Sequence, residues 1–135
     1  MTPTLRSVDH IHVFVADRAA STIWYKEVMG LSPIAELEFW AKDGGPLTIS
    51  DAGGSVHIAL FESAPMKCRS TIALGVGAAE FMEWKRHLSE KLERELRAED
   101  HEVSWSLYFN DPDGNPYEIT AYEYQVLAKL LRTEA

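Results

Sequence analysis

The sequence has little cysteine, no long apolar run and no excess of positive charge. Its 135 residues include one cysteine, Cys68, which excludes an internal disulfide and fits a reducing compartment. No apolar run approaches the ~18 residues that a membrane-spanning helix needs. The first ten residues, MTPTLRSVDH, lack the apolar centre of a secretory signal. These absences predict a cytoplasmic protein with no membrane partner.

The charge balance narrows the choice of partner further. Asp and Glu number 21 against 13 Lys and Arg, which gives a formal net charge of −8. Nucleic-acid binding depends on neutralising phosphates with Lys and Arg, so this balance argues against it. The length fits one domain, or two small similar halves that share a core.

A strand–helix–three-strand pattern occurs twice along the chain. The first copy has an alternating strand near residue 10, a helix over about 18–29, and strands over about 31–39, 46–50 and 55–62. The second copy has a strand over 70–76, a helix over 78–92, a poorly defined polar stretch in place of the next strand, and two strands that flank the turn at 111–116. We therefore expect an α+β fold with module one at about 7–63, module two at about 69–122 and an added helix at about 123–133.

The two copies are offset by 61 residues, which predicts which side chains share a face. This offset maps His10 onto Thr71 and His57 onto Glu118. Because side chains alternate along a strand, these four residues should lie opposite the apolar residues that cover the helices. Those apolar residues are Ile11, Val13, Ile58 and Ile119. A carboxylate on an inner face is costly unless it is paired or bound to metal, and two imidazoles with one carboxylate suit a divalent ion.

Two stretches, DHIHVFVADRAASTIWYKEVMGL and SLYFNDPDGNPYEI, resemble the vicinal oxygen chelate superfamily. This superfamily includes glyoxalase I, bleomycin resistance proteins, fosfomycin resistance enzymes and type I extradiol dioxygenases. The resemblance extends over about residues 8–122. It implies two βαβββ modules whose strands form a curled mixed sheet around a metal cavity, and a homodimer.

The resemblance also implies a set of metal ligands. The family takes its ligands from the first and last strands of each module, which correspond here to His10, His57, Thr71 and Glu118. His10 and Glu118 match the family pattern, and His57 stands where glyoxalase I has a glutamate. Thr71 departs from the pattern, because many members have histidine there. The implied site is one divalent ion (Fe, Mn, Zn or Ni) held by His10, His57 and Glu118, with Thr71 lining the substrate pocket.

Further residues have both a functional and an ordinary interpretation. The stretch DHEVSWSLYFNDPDGNPYE resembles the extradiol dioxygenase signature, which implies catalytic roles for His101 and Tyr108. Without the resemblance, His101 reads as a loop histidine and Tyr108 as cross-strand packing. His12 shares the face of His10 and is assigned a substrate contact. Phe39 and Trp40 are assigned to the rim of the substrate pocket, although the sequence alone does not distinguish an aromatic rim from an aromatic core.

The sequence therefore predicts a metal-dependent enzyme that acts on a small substrate with vicinal oxygen atoms. Iron or manganese would favour extradiol ring cleavage, whereas zinc or nickel would favour lyase or isomerase chemistry. The alternative is a metal-free protein that binds a small molecule or drug, as bleomycin resistance proteins do. The four tryptophans and the negative charge are compatible with that alternative. A member that has lost its metal and its activity is a third interpretation, which Thr71 leaves open.

Overall fold

The computed structural model describes residues 1–64 and 66–134. The chain divides into two compact units, unit 1 (Met1–Met66) and unit 2 (Lys67–Ala135). Each unit contains one four-stranded mixed sheet with helices, so the architecture is α+β. No helix in the described part of the chain is long and apolar enough to cross a membrane.

Unit 1 has the strand order β1-β4-β3-β2, in which β1 and β4 are parallel and the other pairs are antiparallel. Its elements in chain order are β1 (Ile11–Val15), α1 (Arg18–Met29), β2 (Ser32–Pro33), a 3-10 turn (Ala35–Leu37), α2 (Phe39–Lys42), β3 (Leu47–Ser50) and β4 (His57–Glu62). The strand–helix–three-strand sequence pattern of the first copy is therefore present.

The burial of unit 1 follows the two-residue period of its strands. In β1, Val13 and Val15 are buried, whereas His12 and Phe14 on the opposite face are exposed. Helix α1 covers the buried face. It begins after Asp17, whose carboxylate accepts the Ala20 N–H at 3.0 Å. It ends at Gly30, whose φ of 70° is a conformation that glycine adopts without strain.

The strand predicted over 31–39 is wrong beyond Pro33. After β2 the chain forms the 3-10 turn, in which the Leu37 N–H donates to the Ile34 carbonyl at 3.0 Å, and then the short helix α2. Ile34, Leu37 and Trp40 recur every three residues, so their spacing places them on one side of a helical segment. This local pattern prevails over the β propensity of the aromatic pair Phe39–Trp40.

Unit 2 has the equivalent strand order, β5-β8-β7-β6, with β5 and β8 parallel. Its elements are β5 (Ile72–Gly75), α3 (Ala78–Lys91), β6 (Glu99–Asp100), β7 (Trp105–Asn110), β8 (Pro116–Ala121) and α4 (Tyr124–Glu134). Helix α3 packs on β8 and on α4. Its buried Phe81 and Leu88 lie with the buried face of β8, which consists of Tyr117, Ile119 and Ala121.

The β7–β8 hairpin fixes the face on which Glu118 lies. The Asp111 carboxylate accepts the N–H groups of Asp113 at 2.9 Å and Asn115 at 2.8 Å, and Gly114 has a φ of 85°. Asx geometry of this kind closes a tight turn. Glu118 alternates with the buried residues of β8, so it lies on the face of the sheet away from α3.

The parallel pairs of the two units differ in register by two residues. In unit 1 Ile11 lies opposite Ile58, so His10 and His57 are the next neighbours along the two strands. In unit 2 the residue opposite Glu118 is Ala73, whereas the sequence offset would place Thr71 there. A shift of two residues keeps every side chain on its face but changes its neighbour.

Both units satisfy the N-terminus of their first helix in the same way. In unit 1 the Arg18 N–H donates to Glu62 Oε2 at 2.9 Å, and in unit 2 the Ala78 N–H donates to Glu123 Oε1 at 2.8 Å. Glu62 and Glu123 stand at or just after the end of the strand parallel to the first strand. A carboxylate there satisfies an orphan N–H and complements the helix dipole.

Candidate functional site

Unit 1 contains a cavity of about 210 Å³ with a polar end and apolar walls. The polar end is formed by Asp9, His10 and His57, which lie at the beginning of β1 and β4. One wall belongs to residues 34–46, here called the wall segment. The other lining residues come from the wall segment, β3 and β4: Ile34, Leu37, Trp40, Pro46, Thr48 and Ala59. The structure therefore brings together three of the predicted site residues, His10, His57 and Trp40.

Asp9 fixes the tautomer of His10. The Asp9 carboxylate oxygen Oδ2 lies 2.8 Å from His10 Nδ1, and an ionised carboxylate can only accept. His10 Nδ1 therefore carries a proton, and in the neutral ring Nε2 carries the lone pair. That nitrogen lies 3.1 Å from Nε2 of His12, which donates to it.

Asp9 also holds His57, through its main chain. His57 Nδ1 lies 3.2 Å from the Asp9 carbonyl oxygen, which again can only accept. His57 Nδ1 is therefore the protonated nitrogen, and Nε2 of the neutral ring carries the lone pair. One residue thus sets the same tautomer in both histidines.

These two imidazoles have the arrangement of prepared metal ligands. Histidines that bind metal usually donate the second ring N–H to a carboxylate or a backbone carbonyl, which fixes the ring and raises its basicity. The pair by itself is incomplete. Among residues 1–64 and 66–134, no group of three His, Cys, Asp or Glu side chains is arranged to hold a metal ion. In unit 1 His57 therefore offers one ligand nitrogen and His10 a second only if His12 releases it, and an ion bound there would need further donors.

The β3–β4 turn positions His57. Asp51, directly after β3, accepts the Val56 N–H at 2.8 Å, one residue before His57. This hydrogen bond is the largest cause that lowers the pKa of Asp51 from its ordinary value of 3.8. The charged carboxylate of Asp51 therefore helps to fix the start of β4.

The remaining predicted residues of unit 1 lie around this cavity. His12 is exposed, and its ring lies 4.7 Å from that of Phe61, which also stacks on Phe14. Trp40 lines the cavity while 43% of it stays exposed, which places it at the rim. Phe39 is 56% exposed, and its ring lies 5.5 Å from that of Trp40.

In unit 2, Glu118 is held by a serine that the sequence analysis did not single out. The Ser106 hydroxyl donates to Glu118 Oε2 at 2.7 Å, and Ser106 is completely buried. The same hydroxyl lies 3.3 Å from Thr120 Oγ1. Ser106 stands two residues before Tyr108 on β7, so the strand period alone could have placed it on the face of Glu118.

The structure also brings the two predicted catalytic residues of unit 2 into contact. His101 Nε2 lies 3.0 Å from the Tyr108 hydroxyl, and Tyr108 is directly opposite Glu118 in the β7–β8 ladder. Both His101 and Tyr108 are exposed, so this pair is open to a ligand. Thr71 is also exposed and precedes β5 by one residue.

Several solved structures share this fold. An integron cassette protein, HFX_CASS4, from the mobile metagenome of the Halifax Harbour sewage outfall has a TM-score of 0.68 and 20% identity, covering 87% of this chain and 99% of that chain. A glyoxalase/dioxygenase from Nostoc punctiforme has a TM-score of 0.65 and 20% identity, with coverages of 90% and 98%.

A third similar structure contains a metal ion. The fosfomycin resistance protein FosX from Listeria monocytogenes, complexed with Mn(II) and a sulfate ion, has a TM-score of 0.63 and 17% identity. The match covers 95% of this chain and 99% of that chain. At these identities the likeness shows a shared fold.

Sequence comparison assigns the family. The sequence has no significant match among curated proteins. The sequence profile of one superfamily, however, matches residues 7–119, which include both copies of the repeat. The chain belongs to the Glyoxalase/Bleomycin resistance protein/Dioxygenase superfamily.

Proposed function

We propose that this protein is a metal-dependent enzyme that acts on a small substrate with two adjacent oxygen atoms. The observation that supports the proposal best is the shared anchoring of His10 and His57. Both rings donate their Nδ1–H to Asp9, so Nε2 carries the lone pair in each, and His12, which now donates to His10 Nε2, would have to turn away for His10 to bind an ion.

The proposed ligands are His10 and His57, with Glu118 as the carboxylate ligand that the family resemblance implies. Their donor atoms suit Fe, Mn, Zn or Ni. The FosX structures from Listeria monocytogenes that contain Mn(II) give a precedent for a divalent ion in this fold. When bound, such an ion supplies Lewis-acid stabilisation of charge on a substrate oxygen or activates O₂.

The protein's own residues would bind the substrate and move protons. Ile34, Leu37 and Trp40 form an apolar wall that packs on the substrate body and excludes water. The His101–Tyr108 pair can relay a proton, because an imidazole nitrogen and a phenol oxygen in hydrogen-bond contact can each donate or accept one. We assign these two residues the proton-transfer role, and His12 and Thr71 contacts with the substrate.

Metal-free binding of a small molecule is the second candidate. It is favoured by the mostly apolar lining of the cavity and by the absence of a complete ligand set among the described residues. Under this proposal His10 and His57 would be hydrogen-bonding groups for the ligand rather than for an ion.

Metal content separates the two candidates. The untagged protein is analysed for metals as purified and then titrated with Mn(II) and Zn(II) by calorimetry. We expect about one ion per chain. In His10→Ala and in His57→Ala the metal affinity should fall by at least about 100-fold, because loss of a residue that only orients a ligand already costs up to about that much. Glu118→Gln tests the carboxylate ligand in the same way.

The matched control is His87→Ala, which removes a histidine from α3 and should leave metal binding unchanged. If the wild-type protein takes up neither ion, the metal-dependent proposal is wrong. Binding of small apolar probes to that metal-free protein would then support the second candidate. Association into a homodimer is a separate proposal, checked by light scattering coupled to size-exclusion chromatography.

A further inference from the structure

We propose that Arg18 is a positioning residue that holds the wall segment in place and thereby limits the size of ligand that the unit 1 cavity admits. The inference rests on the proposed function, because it treats this cavity as the substrate pocket. It concerns a side chain outside the cavity lining, which acts through the residues that it holds.

The Arg18 guanidinium joins three main-chain carbonyls, two from the wall segment and one from β4. Its Nη1 donates to the carbonyls of Gly45 at 2.9 Å and Leu60 at 3.3 Å, and its Nη2 donates to the carbonyl of Ala41 at 3.3 Å. Gly45 and Ala41 belong to the wall segment, whereas Leu60 lies on β4. The planar guanidinium fork can bridge several acceptors with a fixed geometry, so it ties the wall segment to the sheet.

Each of these three carbonyls is adjacent in sequence to a residue that lines the cavity. Ala41 follows Trp40, Gly45 precedes Pro46, and Leu60 follows Ala59. The guanidinium therefore acts one residue away from the cavity on both sides of it. Any loosening of these bonds would move the lining residues directly.

The wall segment itself is closed tightly at Gly45. The Gly45 N–H donates to the Trp40 carbonyl at 2.9 Å, and a Cβ on Gly45 would lie only 2.7 Å from that oxygen. No side chain fits there without a shift of the main chain. The position of Trp40 thus depends on the hydrogen bonds that the Arg18 guanidinium donates and on the close approach of Gly45 to the Trp40 carbonyl.

Unit 2 has the equivalent strand order without an arginine at the corresponding position. Ala78 is the counterpart of Arg18, because each is the first residue of its helix and donates its N–H to a glutamate. The shared main-chain contact serves the helix. At this position the guanidinium occurs only in unit 1, where the wall segment borders a cavity.

The size of the cavity indicates the class of ligand. Its volume is about 210 Å³, whereas an engineered apolar cavity of about 150 Å³ holds one benzene molecule. We infer a compact, mainly apolar substrate of one ring or similar size, whose adjacent oxygen atoms face His10 and His57. A fused two-ring molecule would require the wall segment to move outward.

The test compares two probes that differ in size and share a vicinal diol. Catechol and 2,3-dihydroxynaphthalene are titrated by calorimetry into the metal-free protein and into protein loaded with Zn(II), which has no redox chemistry. In the wild type we expect catechol to bind about tenfold or more tightly than the larger probe. Arg18→Ala should reduce this ratio to near one, and Arg18→Lys should restore part of it.

Two controls isolate the role of Arg18 in positioning. Arg86→Ala removes an exposed arginine from α3 and should leave the ratio unchanged. Gly45→Ala keeps the arginine but displaces the wall segment, including the Gly45 carbonyl that Arg18 binds, and should change the ratio as Arg18→Ala does. Hydrogen exchange at Asp43 and Gly45, whose N–H groups donate to the Trp40 carbonyl, should become faster in Arg18→Ala while exchange in β4 does not.

The outcomes separate this inference from the proposed function. If the wild-type protein binds no Zn(II), the metal-dependent proposal is contradicted. The ratio of the affinities for the two probes, measured without metal, still tests the role of Arg18. An unchanged ratio in folded Arg18→Ala, with Zn(II) uptake intact, overturns the inference about Arg18. If Arg18→Ala does not fold, Arg18→Lys and Gly45→Ala decide, and an unchanged ratio in both overturns it equally.

Discussion

Unit 1 and unit 2 share a strand order but present different polar groups on the exposed faces of their sheets. In unit 1 His10 directly precedes β1 and His57 begins β4, and Asp9 holds both. In unit 2 the face of β8 carries Glu118, held by the buried Ser106. The buried faces must fit a helix and stay apolar, whereas the opposite faces are free to differ. The comparison shows where this fold can change its chemistry without losing its core.

The largest expected effect tests whether the two buried faces are equivalent. Ile58 in β4 and Ile119 in β8 are 0% and 1% exposed. We expect Ile58→Ala and Ile119→Ala each to lower the free energy of unfolding by about 3 kcal/mol, because each leaves a cavity in a packed core. Urea unfolding followed by tryptophan fluorescence measures the loss. Ile23→Ala is the control, since Ile23 is 60% exposed and its loss should cost less than about 0.5 kcal/mol.

A smaller effect is expected at the two helix N-termini. Glu62→Ala and Glu123→Ala each remove an acceptor from a helix N–H, which typically costs about 1 kcal/mol. The Glu123 bond is partly buried and the Glu62 bond is exposed, so Glu123→Ala should have the larger effect. The free energy of unfolding is measured for both, with Glu27→Ala on α1 as a control. Equal losses in all three variants would contradict a capping role.

At alkaline pH the stability of unit 2 should change more than that of unit 1. The Tyr124 hydroxyl donates to the Asp100 carboxylate, which is the main cause that raises the pKa of Tyr124 above its ordinary value of 10.0. A raised pKa contributes stability that is fully present below pH 10 and is lost as the pH rises through the folded-state pKa. Tyr124→Phe should therefore be less stable than the wild type at pH 8, with a smaller difference at pH 11. A difference independent of pH would contradict this prediction.

The smallest effect on stability is expected in unit 1, and it appears at acid rather than alkaline pH. The pKa of Asp51 is lowered, chiefly by the Val56 N–H, so its charged form contributes stability above the ordinary value of 3.8. This contribution disappears as the pH falls through the lower folded-state pKa. We expect Asp51→Asn to be slightly less stable than the wild type at pH 6 and equally stable near pH 2. Unfolding by urea at both pH values provides the measurement.

Most of the fold could be predicted from the sequence, because its signals are local. The alternation in β1, the Gly30 cap and the Asp111 turn each depend on neighbouring residues, and the structure has all three. The strand predicted over 31–39 is wrong beyond Pro33, where the three-residue spacing of Ile34, Leu37 and Trp40 favours a helical segment.

The contacts that prepare the site were harder to predict, because they cross the sheet. The bond between the Asp9 carbonyl and His57 joins residues 48 positions apart and depends on the β1–β4 register. The hydrogen bonds of the Arg18 guanidinium are just as hard to predict, because their acceptors are main-chain carbonyls, which every residue has. The ligand roles of His10, His57 and Glu118 stay predictions.

The double use of Asp9 has a consequence for how this site tolerates mutation. Its carboxylate holds His10, so a substitution that takes away the acceptor oxygen, such as Asp9→Ala, removes that bond. Its carbonyl holds His57, and every amino acid supplies a carbonyl at that position. A single change such as Asp9→Ala would therefore release one imidazole and leave the other in place. Random variation can thus adjust His10 in small steps, while His57 is protected from changes at position 9.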